Sequence, residues 1–301
     1  MTDQCQRWRK VYPLIESYKT LNDISLVMEF SHVSSLLPGT VDVGMEYVEL
    51  VVVVPIYNEE KILEERVLSL HRFLSMMKHS FQLVLAVDDS GDNSVTIAQK
   101  FAASNSNVAI IVHDEKKGRG FAVREAWLKY NAKYYCFIDT DLAMGLDIIQ
   151  KSLEEMSSDG YPIITASRYC SGAKVYRPEL RNAVSRIYNY SLRILFNEEL
   201  NDHQCGFKMI KREVRNSLVG KTTINSWFWD TELLIKGHNF GYEVKELPVT
   251  WVEGKYKHTS LKRLLKDVGL HGYGILRLLK DVREIKRLTE KSSKKEQRLI
   301  S

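Results

Sequence analysis

The chain has 301 residues, 44% of them apolar and 27% charged, with a formal net charge of +5. That length fits one large α/β domain with appendages, or two domains at most, and can bury a core without covalent staples. Four widely spaced cysteines (Cys5, Cys136, Cys170, Cys205) form no C-x-x-C pair, so there is no sign of a disulfide framework or cysteine zinc site, and a reducing compartment is expected.

Residues 1–46 read as a helical appendage. A basic opening (Arg7, Arg9, Lys10) is followed by Leu14, Tyr18, Leu21 and Ile24 at helical spacing, then a Pro38-Gly39 break. No apolar core follows the basic residues, as a signal peptide would need. From Tyr47 the pattern changes. Val48 to Pro55 is β-branched and apolar, as a strand buried on both faces should be. Its apolar stretch, Leu50 to Ile56, is the longest of the chain and falls far short of the roughly 20 residues that span a bilayer.

Glu59 to Met77 carries Ile62, Leu63, Val67, Leu70, Phe73 and Leu74 at helical intervals, with Asn58 as the candidate cap. The alternation then repeats. Strands are predicted over Leu83–Val87, Val108–Val112, Tyr134–Ile138 and Ile163–Ala166, with helices over Asn93–Ala103, Gly120–Tyr130 and Leu146–Met156. Short apolar strands alternating with helices imply a mostly parallel sheet covered on both faces, with ligands beyond the carboxyl ends of the strands. Further on, Asn182–Phe196 and Asp230–Leu234 read as helices, Cys205–Ile210 as extended, and Tyr242–Trp251 as a strand. Leu261 to Leu288 has helical spacing with basic residues between the apolar ones.

The strand ends collect the polar motifs. The first ends in P-I-Y-N-E-E (Pro55–Glu60), where an aromatic and a carboxylate can hold a base or ribose, or simply begin a capped helix. The second ends in D-D-S-G-D-N-S; capping accounts for Asp92 and Asn93 but not for Asp88 and Asp89, which suit a nucleoside. The third leads to E-K-K-G-R-G (Glu115–Gly120), whose glycines, Lys116, Lys117 and Arg119 can offer backbone N–H groups and charge to phosphate, or form a solvated turn. The fourth supplies F-I-D-T-D. Extended geometry would place Asp139 and Asp141 on one side, where they can share a hard divalent cation with diphosphate oxygens.

This ordered set resembles the inverting glycosyltransferase family 2 with the GT-A fold. A-S-R-Y (Ala166–Tyr169), R-N-A-V-S (Arg181–Ser185) and D-H-Q-C-G-F-K (Asp202–Lys208) are similar to its polyprenyl-phosphate branch, above all the dolichyl-phosphate glucosyltransferases. The resemblance covers about Tyr47 to Ser260. It implies that Pro55, Tyr57, Glu59 and Asp88 or Asp89 hold the nucleoside, helped by Lys117 and Gly118. Asp139 and Asp141 would bind Mg²⁺ or Mn²⁺, and Arg168, Arg181 and Ser185 the acceptor lipid phosphate. Asp141, Arg181 and Ser185 would be the catalytic set. Gln204, Lys208, Asp230 and Glu232 are candidates for the same cleft or for its support. Mannosyl relatives carry a metal-binding Gln where this chain has Ala143, and the later Arg-and-Lys signature is blurred, leaving Lys255 or Lys257 to serve.

The expectation is therefore an α/β, Rossmann-like GT-A domain over 47–260, with a helical appendage over 1–46 and a basic amphipathic segment over 261–301. Its reaction would be inverting transfer of a hexose, of glucose or N-acetylhexosamine type, from a UDP-sugar to dolichyl or polyprenyl phosphate. Transfer from GDP-mannose, or to a non-lipid acceptor, is the alternative. A sugar nucleotidyltransferase is disfavoured, since no Gly-rich opening follows the first strand. From Lys255 onward fourteen Lys and Arg face five Asp and Glu. That imbalance suits an anionic membrane surface, on the cytoplasmic face, or a helix packed on the domain with a charged outer side. The tail lacks the aromatic interleaving of a nucleic-acid binder, so no nucleic acid is expected.

Overall fold

The computed structural model describes residues 47–253, 269, 271–285 and 287. The predicted appendage over 1–46, Lys255, Lys257 and the tail lie outside the described residues. The elements run β1 (Val48–Ile56), α1 (Leu63–Met76), β2 (Phe81–Asp88), α2 (Ser94–Ala103), β3 (Val108–His113), α3 (Arg119–Lys129), β4 (Ala132–Ile138) and α4 (Asp147–Ser158). Then come β5 (Ile163–Ser167), β6 (Lys174–Tyr176), α5 (Glu179–Phe196), β7 (Phe207–Lys211), α6 (Arg212–Leu218), a 3-10 turn (Val219–Lys221), α7 (Trp229–Asn239), β8 (Val244–Pro248) and β9 (Thr250–Val252).

Seven strands form one sheet in the order β3-β2-β1-β4-β7-β5-β8, and β6 pairs with β9 in a second, two-stranded sheet. β1 lies inside the large sheet and feeds both of its faces. Leu50, Val52, Val54 and Ile56 enter one apolar cluster, while Val51 and Val53 enter the other. A strand with solvent on neither side has no reason to alternate, which is why its sequence is an unbroken apolar run. The helices cover the faces: α1 buries Leu63, Val67, Leu70 and Leu74, and α3 buries Val123, Ala126 and Trp127.

Two features of the topology locate the site. The chain leaves β1 toward β2 and β3, then returns to the other side of β1 as β4. β1 pairs with β2 through Ile56 but with β4 only through Val53, so the strand order switches at the ends of β1 and β4, where open α/β sheets place their ligand crevice. Second, β7 runs antiparallel to both neighbours, with Phe207 opposite Ile138. The segment entering β7 is thereby delivered to the same sheet edge.

Several boundaries differ from the sequence reading. α1 starts at Leu63, because the N–H groups of Ile62 and Leu63 both close on the Glu59 carbonyl and make a preceding turn. Asn58 is not its cap; it adopts φ +54° and binds the neighbouring loop. The predicted strand Tyr242–Trp251 divides into β8 and β9, as the Val249 N–H turns to Ser167 and its carbonyl to Lys174. β6 and α6 carry too few residues to show a period.

The C-terminal helical stretch, 271–285, packs on the body. Leu278 and Val282 are buried with Leu192, Phe196, Ile224, Phe228 and Ile235, and Lys236 pairs with Asp281 at 2.7 Å. Gly274 lets the helix approach, since a Cβ there would lie 2.6 Å from the Phe228 ring. Leu278→Ala is expected to lower unfolding free energy by about 2–5 kcal/mol in a denaturant titration, the range for a buried leucine cavity.

Candidate active site

The loops after β1 and β2 are joined by reciprocal hydrogen bonds. The N–H groups of Asn58, Glu59 and Glu60 donate to Ser90 Oγ, Ser94 Oγ and Asp92 Oδ2 at 3.1, 2.9 and 3.0 Å. In return the Gly91 N–H donates to Asn58 Oδ1 at 2.8 Å. Across the crevice the Thr140 hydroxyl donates to the Pro55 carbonyl at 2.8 Å, tying the end of β4 to that of β1. Tyr57 remains 45% exposed, with Lys116 Nζ 4.0 Å from its ring centroid. An exposed ring beside a cation offers a stacking face and a charge at the mouth of the crevice.

The two acids after β2 have separate tasks. Asp88 is buried, and its oxygens accept the N–H groups of Lys117 and Gly118 at 2.8 and 2.9 Å. It anchors the next loop. Asp89 is exposed, at φ +41°.

The K-K-G-R-G turn, read from the sequence as a phosphate cradle or a solvated turn, is held by its neighbours. Besides the two N–H groups on Asp88, those of Gly120 and Phe121 donate to the Asn225 carbonyl at 2.8 and 3.3 Å. Lys117 Nζ pairs with Glu115 at 3.0 Å. Gly118 has φ +97°, and a Cβ there would meet the Asn225 oxygen at 2.5 Å. The turn is a packed junction in which four backbone N–H groups are already engaged.

β4 ends at Ile138, and D-T-D lies in a turn closed by the Leu142 N–H on the Asp139 carbonyl at 3.1 Å, with Leu142 at φ +46°. The extended i, i+2 geometry expected for Asp139 and Asp141 therefore does not apply. Asp139 Oδ1 accepts from Arg119 Nε at 2.9 Å, while Arg119 Nη1 reaches both oxygens of Asp230 at 2.9 Å. The Arg119 guanidinium also lies over the rings of Phe137 and Trp227. Burial pushes the Asp230 carboxyl above its ordinary range, against the pull of Arg119 and Lys208. Gly206 abuts the other side of Asp139, where a Cβ would fall 2.1 Å from Oδ2. Asp141 Oδ1 accepts the Ala143 N–H at 3.3 Å.

A hard divalent cation fits this donor set in one way. No group of three or more His, Cys, Asp or Glu that could hold a metal occurs among the described residues. A divalent cation held here by Asp139 and Asp141 would therefore draw its remaining ligands from diphosphate oxygens and water, as is usual for Mg²⁺.

The acceptor-side candidates fall around the end of β5 and the start of α5. Arg168 is buried and paired with Asp202 through Nε and Nη2, at 2.7 and 2.8 Å. Burial alone would raise the Asp202 carboxyl, but Arg168 holds it below the ordinary range. In this structure the Arg168 guanidinium, expected at the acceptor phosphate, turns its Nε and Nη2 to Asp202. It fixes the loop before β7. Arg181 and Ser185 do come together with Tyr169 and Glu253: Arg181 Nη1 donates to Glu253 Oε1, and Arg177 Nη1 lies 3.3 Å from Ser185 Oγ and 3.4 Å from the Tyr169 hydroxyl. Gln204 points away, its Nε2 lying 2.6 Å from His271 Nε2. Lys208 is fully buried and donates to the Cys205 carbonyl at 2.7 Å, and Glu232 accepts the N–H groups of Thr223 and Ile224. All three hold neighbouring segments in place.

Residues 51–218 match the family model described as Glycosyl transferase family 2. The chain belongs to glycosyl transferase family 2. Over 234 residues it is 33% identical to the glycosyltransferase AglD of Haloferax volcanii, an alignment covering 76% of this chain and 37% of AglD. The chain thus spans little more than a third of that relative. It is 27% identical over 230 residues to the dolichyl-phosphate beta-glucosyltransferase ALG5C of Trichomonas vaginalis, covering 72% and 68% of the two chains. Among solved structures it is similar to glucosyl-3-phosphoglycerate synthase from Mycobacterium tuberculosis in complex with UDP, with a TM-score of 0.59 at 17% identity over 77% of this chain and 80% of that one. A structure of the same synthase with Mn²⁺, UDP and glucosyl-3-phosphoglycerate gives 0.57 at 14% identity, covering 78% and 80%. These likenesses bear out the GT-A fold read from the sequence.

Within this family 2 site, sequence reasoning missed three contributors. Gly206 makes room for Asp139, Asn225 closes the turn before α3, and Arg177 joins the Arg181–Ser185 pair. The last had a signal, since Arg177, Arg181 and Ser185 stand four residues apart. Asn225 had none. Asp88→Asn, which sets an amide N–H₂ against a backbone N–H, is expected to cost about 1–3 kcal/mol of stability. Asp89→Asn should stay within about 0.5 kcal/mol; parallel chemical denaturation of the two variants checks both.

Proposed function

We propose that the chain transfers a hexose, of glucose or N-acetylhexosamine type, from a UDP-sugar to the phosphate of dolichyl or polyprenyl phosphate, with inversion. Residues 47–260 are assigned as the catalytic domain. The observation that carries this reading is the joining of an acid-lined crevice to an arginine cluster through one short segment. Its Asp202 grips Arg168, and its Gly206 carbonyl accepts the Asp139 N–H at 3.0 Å. The names of the curated relatives support the lipid acceptor.

In this reading Pro55, Tyr57, Glu59 and Asp89 receive the nucleoside, and Asp88 acts through the loop it anchors. Asp139 and Asp141 hold Mg²⁺ or Mn²⁺, which when bound offsets the charge of the departing nucleoside diphosphate. Arg181 and Ser185 orient the acceptor phosphate. A phosphate monoester is anionic at neutral pH, so it attacks the anomeric carbon without a strong general base. The protein's own work is to bring two anions together and aim one at the sugar. Displacement from the face opposite the leaving group inverts that carbon.

A lipid acceptor calls for a membrane-facing surface, and α5 supports one. Leu180, Ile187, Tyr190 and Ile194 are 63–71% exposed along its outer side. No acidic residue stands between Leu180 and Phe196, while Arg181, Arg186 and Arg193 do. An apolar stripe edged with arginine suits the headgroup region of an anionic bilayer. No helix among the described residues is long and apolar enough to cross a membrane. The site of action proposed is the cytoplasmic membrane face, with the protein peripheral to it.

Incubation with UDP-glucose, UDP-N-acetylglucosamine or GDP-mannose, polyprenyl phosphate and Mn²⁺ is expected to yield a glycosylated lipid with a UDP-sugar. Product only with GDP-mannose, or none in the lipid extract, rejects the proposal. Asp141→Ala is expected to abolish transfer at an unchanged melting temperature, and full turnover in that variant would remove the acids from the mechanism. Ile187→Glu with Ile194→Glu should cut co-sedimentation with anionic vesicles several-fold; unchanged pelleting would dismiss α5 as the contact.

A further inference from the structure

β6 and β9 place two charged side chains next to each other. The strands run parallel with Tyr176 opposite Val252, and the Glu253 N–H donates to the Tyr176 carbonyl at 3.0 Å. Arg177 and Glu253 therefore leave the small sheet side by side. The Arg177 side chain is only 8% exposed. Its contacts are poor for a buried cation. Nη1 reaches two hydroxyls at 3.3 and 3.4 Å, Nη2 is 3.9 Å from Glu253 Oε1, and the buried Nε has no hydrogen-bond partner.

The carboxylates nearby are committed elsewhere. Asp202 is engaged by Arg168, and Glu253 by Arg181. Arg186 lies over the ring of Tyr169, 4.6 Å from its centroid. Four guanidinium groups thus share two carboxylates among the described residues. Burial, then the like charges of Arg168 and Arg181, hold Arg177 below the ordinary arginine pKa, with Tyr169 and Glu253 opposing. A desolvated cation with an unused donor, beside two others, is costly unless an anion completes it.

We infer that Arg177 is a primary ligand for the phosphate of the acceptor, in a pocket shared with Tyr169, Arg181, Ser185 and Arg186. The inference rests on the phosphate-acceptor reading above. The local excess of guanidinium groups matches a phosphate monoester dianion, and the Nη groups of Arg177 offer donors to its oxygens. Phosphate binding then relieves a repulsion that the empty pocket retains. Arg177 is in this sense a site residue that destabilises the fold that carries it.

That sign separates binding from structure. Arg177→Gln is expected to keep or raise the melting temperature without ligand, and to raise the KM for citronellyl phosphate at least tenfold. Arg177→Lys should recover part of the KM. In calorimetry the wild-type protein should bind citronellyl phosphate and, more weakly, inorganic phosphate, but not citronellol, and Arg177→Gln should lose both phosphates. Binding of inorganic phosphate as tightly as the prenyl phosphate would support the pocket and make free phosphate its ligand. A melting temperature that falls with Arg177→Gln while KM holds would overturn the inference, as would unchanged phosphate binding. Binding that depends on Arg177 in a protein that transfers no sugar would keep the pocket and reject the proposed reaction.

Discussion

One buried guanidinium couples the parts of this site. Arg119, at the first turn of α3, reaches Asp139 beyond β4 with one edge and Asp230 on α7 with another, while Phe137 and Trp227 cover its faces. Three elements distant in sequence are pinned at one point. The pairing is favourable only because burial is matched by ionic partners, and loss of Arg119 would leave two carboxylates facing each other without their cation. Asp139 is thus held by the fold before any ligand arrives. In the proposed reaction, a divalent ion or a diphosphate would meet a carboxylate already oriented, with Arg119 as a fixed positive neighbour.

Much of the fold was legible because burial on both faces leaves a plain mark. β1, β2 and β4 read as apolar runs, and the helices between them showed their inward residues at three- and four-residue spacing. The reversal of β7 was not legible. Phe207–Lys211 looks like any short strand, and only the pairing with Ile138 and Ile163 reveals its direction. β6 and β9 are too short to show a period, yet together they position Arg177 and Glu253.

The site divided in the same way. Strand-end acids were visible because carboxylates stand out directly after an apolar strand. Their division of labour was not, since nothing in D-D tells which acid turns inward to hold a loop. K-K-G-R-G offered glycines and cations in a pattern that fits a phosphate cradle equally well; the Asn225 carbonyl, contributed from over a hundred residues downstream, decided otherwise. Arg168 stood out as a phosphate ligand by its motif, but motif alone does not show that Asp202 already encloses it.

The segment Asp202–Gly206 has a broader implication. Because β7 is inserted backwards between β4 and β5, these five residues touch both halves of the molecule, at Arg168 and at Asp139. If the chain works as proposed, a chimera that exchanged its acceptor-binding half with that of another relative would have to carry this splice intact. Cutting on either side of it would then mistune two substrates at once, and selection for new sugars or new carriers would be easiest in the loops around it.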